Sequence, residues 1–393
     1  MTIREEPKNG VMSLKNPCIL IRPQRHDLRR SSFYLEGNPV KMTPRMDLDT
    51  LLASPAPMLA LAPMQDVTDL PFWRLMTQYG GADLYYTEYF RVYPTSRLDK
   101  PILESITKNP TGRPAIAQMI GNDIPSLVRS ARELQNHPVA AIDLNLGCPA
   151  PVVYRKCAGG GLLRDLPRID GILGALREAI PGKFTVKTRL GFDAERTIES
   201  LLPLFAKHAV DLVTVHGRTV LQMYSGGIRH DLIRLAAESL DCPVLANGNV
   251  STPGDAESAL RATSAKGLMI GRGAVRNPWI FSQIRDHLAG KPVRFPTGRE
   301  VLAYVHDLYG TVCDPAIPEP KGVQKIKKYA NFLGEGISPE FLHAVRRAGS
   351  KEEFFALGHS HLDHDRPMQL DPKIIRKSEN QEKEGCGTPS LRR

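Results

Sequence analysis

Short apolar runs recur along the middle of the chain, at 58–62, 84–87, 115–119, 140–144, 184–188, 212–215, 244–246 and 267–270. Each has strand length, and most are apolar almost throughout, as expected of strands covered on both faces. Between them lie stretches with the 3.6-residue spacing of amphipathic helices: 70–79, 124–136, 169–180, 197–208, 228–239 and 253–261. Asp69, Asp123 and Thr252 stand where helix-capping residues belong. Strand and helix alternating eight times predict a parallel α/β fold closed as a (β/α)8 TIM barrel. An open doubly wound sheet is the competitor. Eight units in about 230 residues favour the barrel, because that is its usual size. From 295 to 357 the pattern becomes wholly helical, with helices expected at 298–309, 322–333, 339–348 and 351–357. The predicted organisation is a flexible extension (1–45), a barrel (46–294), a smaller C-terminal all-helical domain (295–365) and a disordered tail (366–393).

The residues following the strands add chemistry to this pattern. They include Pro63-Met64-Gln65, Gln118, Asn145-Leu146-Gly147-Cys148-Pro149, Lys187-Thr188-Arg189, His216-Gly217-Arg218, Asn247-Gly248-Asn249 and Gly271-Arg272-Gly273. In a barrel these C-terminal ends converge on one mouth, where active sites form. Polar groups collected there in nearly every unit point to an enzyme.

Composition narrows the class. The 393 residues are 41% hydrophobic, enough for a sizeable core and too many for a wholly disordered chain. Six cysteines without a CxxC pair argue against a disulfide scaffold or a zinc finger. No apolar run approaches the roughly 18 residues of a membrane span. The first 31 residues lack the apolar segment of a secretory signal. A reducing, cytoplasmic location is expected. The net charge of +10 suggests nucleic acid, but its distribution tempers that reading. Residues 1–46 carry +5 and residues 366–393 carry +3, so the folded middle holds only +2.

Specific residues then suggest roles. The glycine loops around Asn247-Gly248-Asn249 and Gly271-Arg272-Gly273 follow the last two strands, the usual phosphate position in barrels. No Walker-type lysine loop is present. The glycine run at 158–162 reads as a compact loop rather than a phosphate cradle. Lys187 and His216 stand at the ends of the fifth and sixth runs, where a cation could stabilise negative charge on a bound ring. A lone histidine is often structural, and its strand-end position is what favours function. Cys148 lies in a Gly-Cys-Pro turn that exposes it. A free thiol is mostly protonated near neutral pH and can act as a general acid. Cys157 in the same loop is the weaker candidate. Lys321, Lys325 and Lys328 form one basic stripe on a helix, which could contact phosphates but by itself reads first as a solvated face. His359, His361, Asp363, His364 and Asp365 fall in a segment that looks unstructured, and no metal site is expected there.

These motifs, in this order and spacing, resemble the flavin-dependent tRNA-dihydrouridine synthases. The carriers are Leu61-Ala62-Pro63-Met64-Gln65-Asp66-Val67-Thr68-Asp69, Asp143 through Pro149, Lys187 through Gly191, Val215 through Thr219, Ala246 through Asn249 and Gly271-Arg272-Gly273. The resemblance implies FMN across the mouth, with Pro63, Met64 and Gln65 lining it and Gln118 bonding its pyrimidine edge. Lys187 and His216 would face its electron-poor side. Asn247, Gly248, Asn249, Gly271 and Arg272 would hold its phosphate. Cys148 would protonate uracil, Asn145 and Arg189 would orient it, and NADPH would reduce the flavin. The helical domain with its lysines would contact tRNA. No protein partner is implied, and a monomer is expected. The alternatives are a flavin oxidoreductase of small pyrimidines or enones on the same barrel, and an RNA-binding protein without activity.

Overall fold

The computed structural model describes residues 47–313 and 316–373. The expected extension at 1–45 and the tail beyond 373 lie outside the described residues. Nine strands form: β1 Met58–Leu61, β2 Leu84–Tyr86, β3 Phe90–Arg91, β4 Ala115–Ile120, β5 Ala141–Leu146, β6 Phe184–Arg189, β7 Leu212–His216, β8 Val244–Asn247 and β9 Gly267–Ile270. All pair in parallel. The pairings β2–β4 and β1–β9 close eight of them into a ring, a TIM barrel, and the two-residue β3 only extends β4 at its far end. That short strand was not expected from the apolar runs, because two residues carry no periodicity.

Alternation along the strands separates two apolar clusters. Ile142, Leu144, Phe184, Val186, Val213, Val215 and Leu268 pack outward in the cluster that includes the surrounding helices. Ala60, Leu84, Ile116, Ala141, Leu212, Leu245 and Met269 fill the interior. The helix Leu48–Ala53 adds Leu48 and Leu51 to this inner cluster, beside residues that open the strands, and so plugs the bottom of the barrel. Higher up, the inward positions turn polar: Gln118, Asp143, Asn145, Thr185, Lys187, Arg189, Thr214, His216 and Asn247. The site therefore grows out of the same alternation that builds the core.

Local signals fix the helices. Asp69, Asp123 and Asp165 accept the backbone N–H groups of Phe72, Ser126 and Arg168. Thr252 and Asp255 form a reciprocal capping box. The C-terminal helices span Gly298–Val312, Glu319–Ile337, Pro339–Arg347 and Lys351–Leu362. Buried hydroxyls fasten them to the barrel: Tyr304 donates to the Val275 carbonyl and Tyr329 to the Val67 carbonyl, both at 2.9 Å. Arg276, almost fully buried, donates to the Phe332 carbonyl at 3.1 Å and pairs with Glu335.

Two expectations change at the C-terminal end. The histidine-rich segment is ordered, since the last helix runs to Leu362, and Asp363 and Asp365 both pair with Arg299. The chain also stays ordered past 366. Pro367 bridges Thr297, the Met368 N–H reaches the Pro296 carbonyl at 2.7 Å, and Leu370 is buried. One apolar residue at a time anchors this segment, too sparse a signal to stand out in a polar stretch. Among the described residues no helix is long and apolar enough to cross a membrane.

Candidate active site at the barrel mouth

A cavity of about 870 Å³ opens at the C-terminal ends of the strands. Pro63, Met64 and Gln65 enter it from the end of β1, Asn145 and Cys148 from β5, and Lys187 and Arg189 from β6. His216 comes from β7, Asn247, Gly248 and Asn249 from β8, and Gly271 and Arg272 from β9. Thirteen expected site residues thus meet in one space. Gln118 is not among the residues lining it, and Lys321, Lys325 and Lys328 line a separate groove.

A chain of hydrogen bonds sets the floor. Asp143 accepts from the Thr185 hydroxyl at 2.6 Å and from the Gln118 amide at 2.7 Å. The Gln118 oxygen accepts from the Asn145 amide at 2.8 Å. The Asn145 oxygen accepts the N–H groups of Gly147 and Cys148, both at 2.9 Å. The turn carrying the thiol is therefore positioned from beneath, through Asn145. Glycines press against it from the side. A Cβ on Gly160 would fall 2.8 Å from the Cys148 carbonyl oxygen, and the 158–162 run forms a tight 3-10 turn rather than an anion cradle. Arg189 braces the turn from above, donating to the Gly147 carbonyl at 3.0 Å and to the Thr219 and Met223 carbonyls at 2.8 and 2.7 Å.

On the opposite side the last two strand ends form a glycine-lined shelf. Gly248 sits at φ +137, a backbone conformation that residues with a Cβ rarely adopt, which favours glycine there. Asn249 adopts φ +52, a conformation that asparagine tolerates. Asn247 donates to the Met269 carbonyl at 2.7 Å, which leaves its oxygen 3.4 Å from Lys187 Nζ.

Burial governs the charges. It pushes the Lys187 ammonium down to about 8, reinforced by Arg189 and partly offset by Asp143 and the Cys148 thiol. Burial raises Asp143 to about 6 against its hydrogen bonds and Lys187. His216 is held well below its ordinary value by burial and then by Arg189, Lys187, Arg218 and Arg272. It is therefore neutral and offers hydrogen bonds, while the positive potential comes from its neighbours.

Three buried polar atoms at the cavity have no hydrogen-bond partner among the described residues: Gln65 Oε1, His216 Nδ1 and Arg218 Nη1. Buried polar groups are ordinarily paired, so these atoms fit a polar ligand with acceptor and donor edges. Together with the shelf and Arg272, they suit a flat heteroaromatic ring carrying a phosphate. Arg218 was not singled out from sequence, although its motif was. Its role depends on where the guanidinium ends, 1% exposed with two of its nitrogens on the Gly226 carbonyl. Tyr89 also lines the cavity, and its hydroxyl is pushed up by burial and then by the adjacent Cys148 thiol. Nothing in the local sequence marked it.

A closed parallel barrel with a cationic, glycine-edged cavity at the strand C-terminal ends has the architecture of a barrel enzyme with its site at the mouth. Residues 60–352 match the family described as "Dihydrouridine synthase (Dus)". The chain is 36% identical over 288 residues to the "Probable tRNA-dihydrouridine synthase" of Rickettsia prowazekii, covering 72% of this chain and 87% of that one. It is 32% identical over 314 residues to "tRNA-dihydrouridine synthase B" of Xanthomonas axonopodis pv. citri, covering 78% and 93%. This chain belongs to the dihydrouridine synthase family.

Proposed function

We propose that this protein is an FMN-dependent tRNA-dihydrouridine synthase that saturates the C5=C6 bond of uridines in tRNA, with NADPH as electron donor and Cys148 as general acid. The carrying observation is the convergence of Cys148, its Asn145 support and the Lys187–Arg189–Arg218 cations on one cavity, in a family whose curated relatives bear that name.

Pro63, Met64 and Gln65 line one side of the ring site, and Gln65 Oε1 accepts from its edge. Lys187 supplies positive charge, and His216 a neutral hydrogen bond. Asn247, Gly248, Asn249, Gly271 and Arg272 hold the phosphate. The chemistry that reduced FMN would supply when held by these residues is hydride, for one carbon of the uracil double bond. Cys148 gives its thiol proton to the neighbouring carbon, and the resulting thiolate regains a proton from solvent. Asn145 fixes the turn from which that proton is given and, with Arg189, bounds the space for uracil. Gln118 acts one step back, through Asn145. The target base must leave the tRNA stack to arrive, at a cost of a few kcal/mol. The helical domain at 295–365, with Lys321, Lys325 and Lys328, supplies tRNA contacts in return.

The test is nucleoside mass spectrometry of unmodified tRNA incubated with protein, FMN and NADPH. Uridine in tRNA gains two hydrogens, and free uridine is inert. A protein that carries FMN, leaves tRNA unchanged and reduces free pyrimidines or enones overturns the reading.

A further inference from the structure

The lysines of the helix Glu319–Ile337 do not all point to open solvent. Lys321, Lys325, Lys327 and Lys328 line a groove of about 680 Å³ whose other wall is acidic, made by Asp66, Asp69 and Glu88. Lys325 Nζ lies 3.7 Å from Asp69, and Lys328 Nζ lies 3.6 Å from Asp66. Among the described residues Lys321 and Lys327 have no acidic partner this close. Two of the four groove lysines are therefore matched by carboxylates already, and two are spare.

Asp66 and Asp69 stand on the turn that also builds the mouth. Gln65 lines the mouth cavity, and the next residue, Asp66, lines the lysine groove. Asp66 holds a left-handed conformation, φ +59, and its N–H is bonded by Glu88. Thr68 stiffens the turn, accepting from the Met64 N–H at 2.7 Å and donating to the Ala62 carbonyl at 3.0 Å. Tyr329, on the lysine helix, bonds the Val67 carbonyl. The contacts to Asp66 and Asp69 are longer than hydrogen bonds, and Lys328 and Asp66 are both more than half exposed. The exposed Lys328–Asp66 pair is weak and exchangeable, and the Lys325–Asp69 contact, though less exposed, is at 3.7 Å too long for a hydrogen bond. Phosphate oxygens offer the same lysines the same charge.

We propose that Asp66 and Asp69 are internal stand-ins for RNA phosphate, so that tRNA engages the lysine helix by exchanging its phosphates for these two carboxylates, on the turn beside the mouth. This rests on the tRNA reading above. The exchange leaves Asp69 its second role, since its carboxylate still caps the helix Leu70–Gln78 through the Phe72 N–H at 3.1 Å. It also makes the groove selective, because a weak anion cannot displace carboxylates that are tethered in place, whereas a polyanion engaging Lys321 and Lys327 at once can.

The experiment measures tRNA binding to the full chain by fluorescence anisotropy across a salt series. It compares wild type, Asp66→Asn, Lys328→Ala, the double variant, and Glu238→Gln as a remote change of equal charge. Asparagine tolerates the left-handed conformation of Asp66, and melting temperatures check that each variant folds. Asp66→Asn should bind tRNA about two- to fivefold tighter at low salt, with a salt slope steeper by about 0.7 to 0.9. In the Lys328→Ala background it should gain nothing. An equal gain in that background, an equal gain for Glu238→Gln, or no gain at all overturns the exchange while leaving the tRNA reading intact. A wild-type chain that binds no tRNA overturns both.

Discussion

The mouth and the lysine groove share one turn as a common wall, and both are rich in charge, yet the two are built differently. At the mouth Lys187 is partly buried and Arg189 and Arg218 are buried, and the Arg189 and Arg218 guanidinium groups are bound to backbone carbonyls. Their geometry is fixed before any ligand arrives, and water screens them little. In the groove Lys328 is half exposed and its ion pair is loose. The difference teaches what each charge can do. Preorganised, desolvated groups act on a reaction, because their field at the reacting atoms is strong and costs no reorganisation. Screened groups on flexible stems act on association, and salt weakens them.

The largest effect belongs to the mouth. Cys148→Ala should lower single-turnover reduction of tRNA uridine by about 10² to 10⁴-fold, with FMN content unchanged by absorbance. A drop of less than tenfold would move the proton-donor role elsewhere. Asn145→Ala removes the keystone of the floor, leaving the Gln118 oxygen and the Gly147 and Cys148 N–H groups unmatched. It should cost about 1–3 kcal/mol in urea unfolding. A variant as stable as wild type would show that the network does not hold the turn.

The pH response sharpens the contrast further. Activity should fall as pH rises through about 8, where Lys187 loses its charge. Asp143→Asn should move that fall to lower pH, because Asp143 favours the charged lysine. Stability follows the opposite course. The folded value lies below the ordinary 10.5, so the unfolded chain binds more protons between about 8 and 10.5, and the unfolding free energy rises with pH across that window. A pH–rate profile with no alkaline limb would contradict the assignment. Smallest in catalytic effect is the groove. Changing Lys321, Lys325 and Lys328 together to Ala should weaken tRNA binding severalfold at low salt and flatten the salt slope by about 0.7 to 0.9, because only Lys321 of the three lacks a carboxylate to give up. The rate at saturating tRNA should stay near that of wild type.

The sequence pattern exposes the barrel because strands covered on both faces read as apolar runs, and the closed ring then brings their ends together. This is why thirteen residues named from strand ends meet in one cavity. Gln118 departs because of register. It pairs with Asp143, a layer below Asn145 and Lys187, and two residues before β4 ends. Arg218, Tyr89 and the acidic wall of the groove were not legible, since their significance lies in contacts across the fold. Asp66 and Lys328 stand far apart in sequence and meet only through packing of the C-terminal helices. The ordering of residues 366–373 was hidden for the same reason.

The division of labour between the two regions can be tested by scoring dihydrouridine by mass spectrometry after a single turnover at saturating tRNA, with Cys148→Ala and the triple lysine variant side by side. The account predicts near-normal product from the lysine variant and almost none from Cys148→Ala. Product from Cys148→Ala at the wild-type rate, or none from the lysine variant once tRNA is saturating, would contradict it.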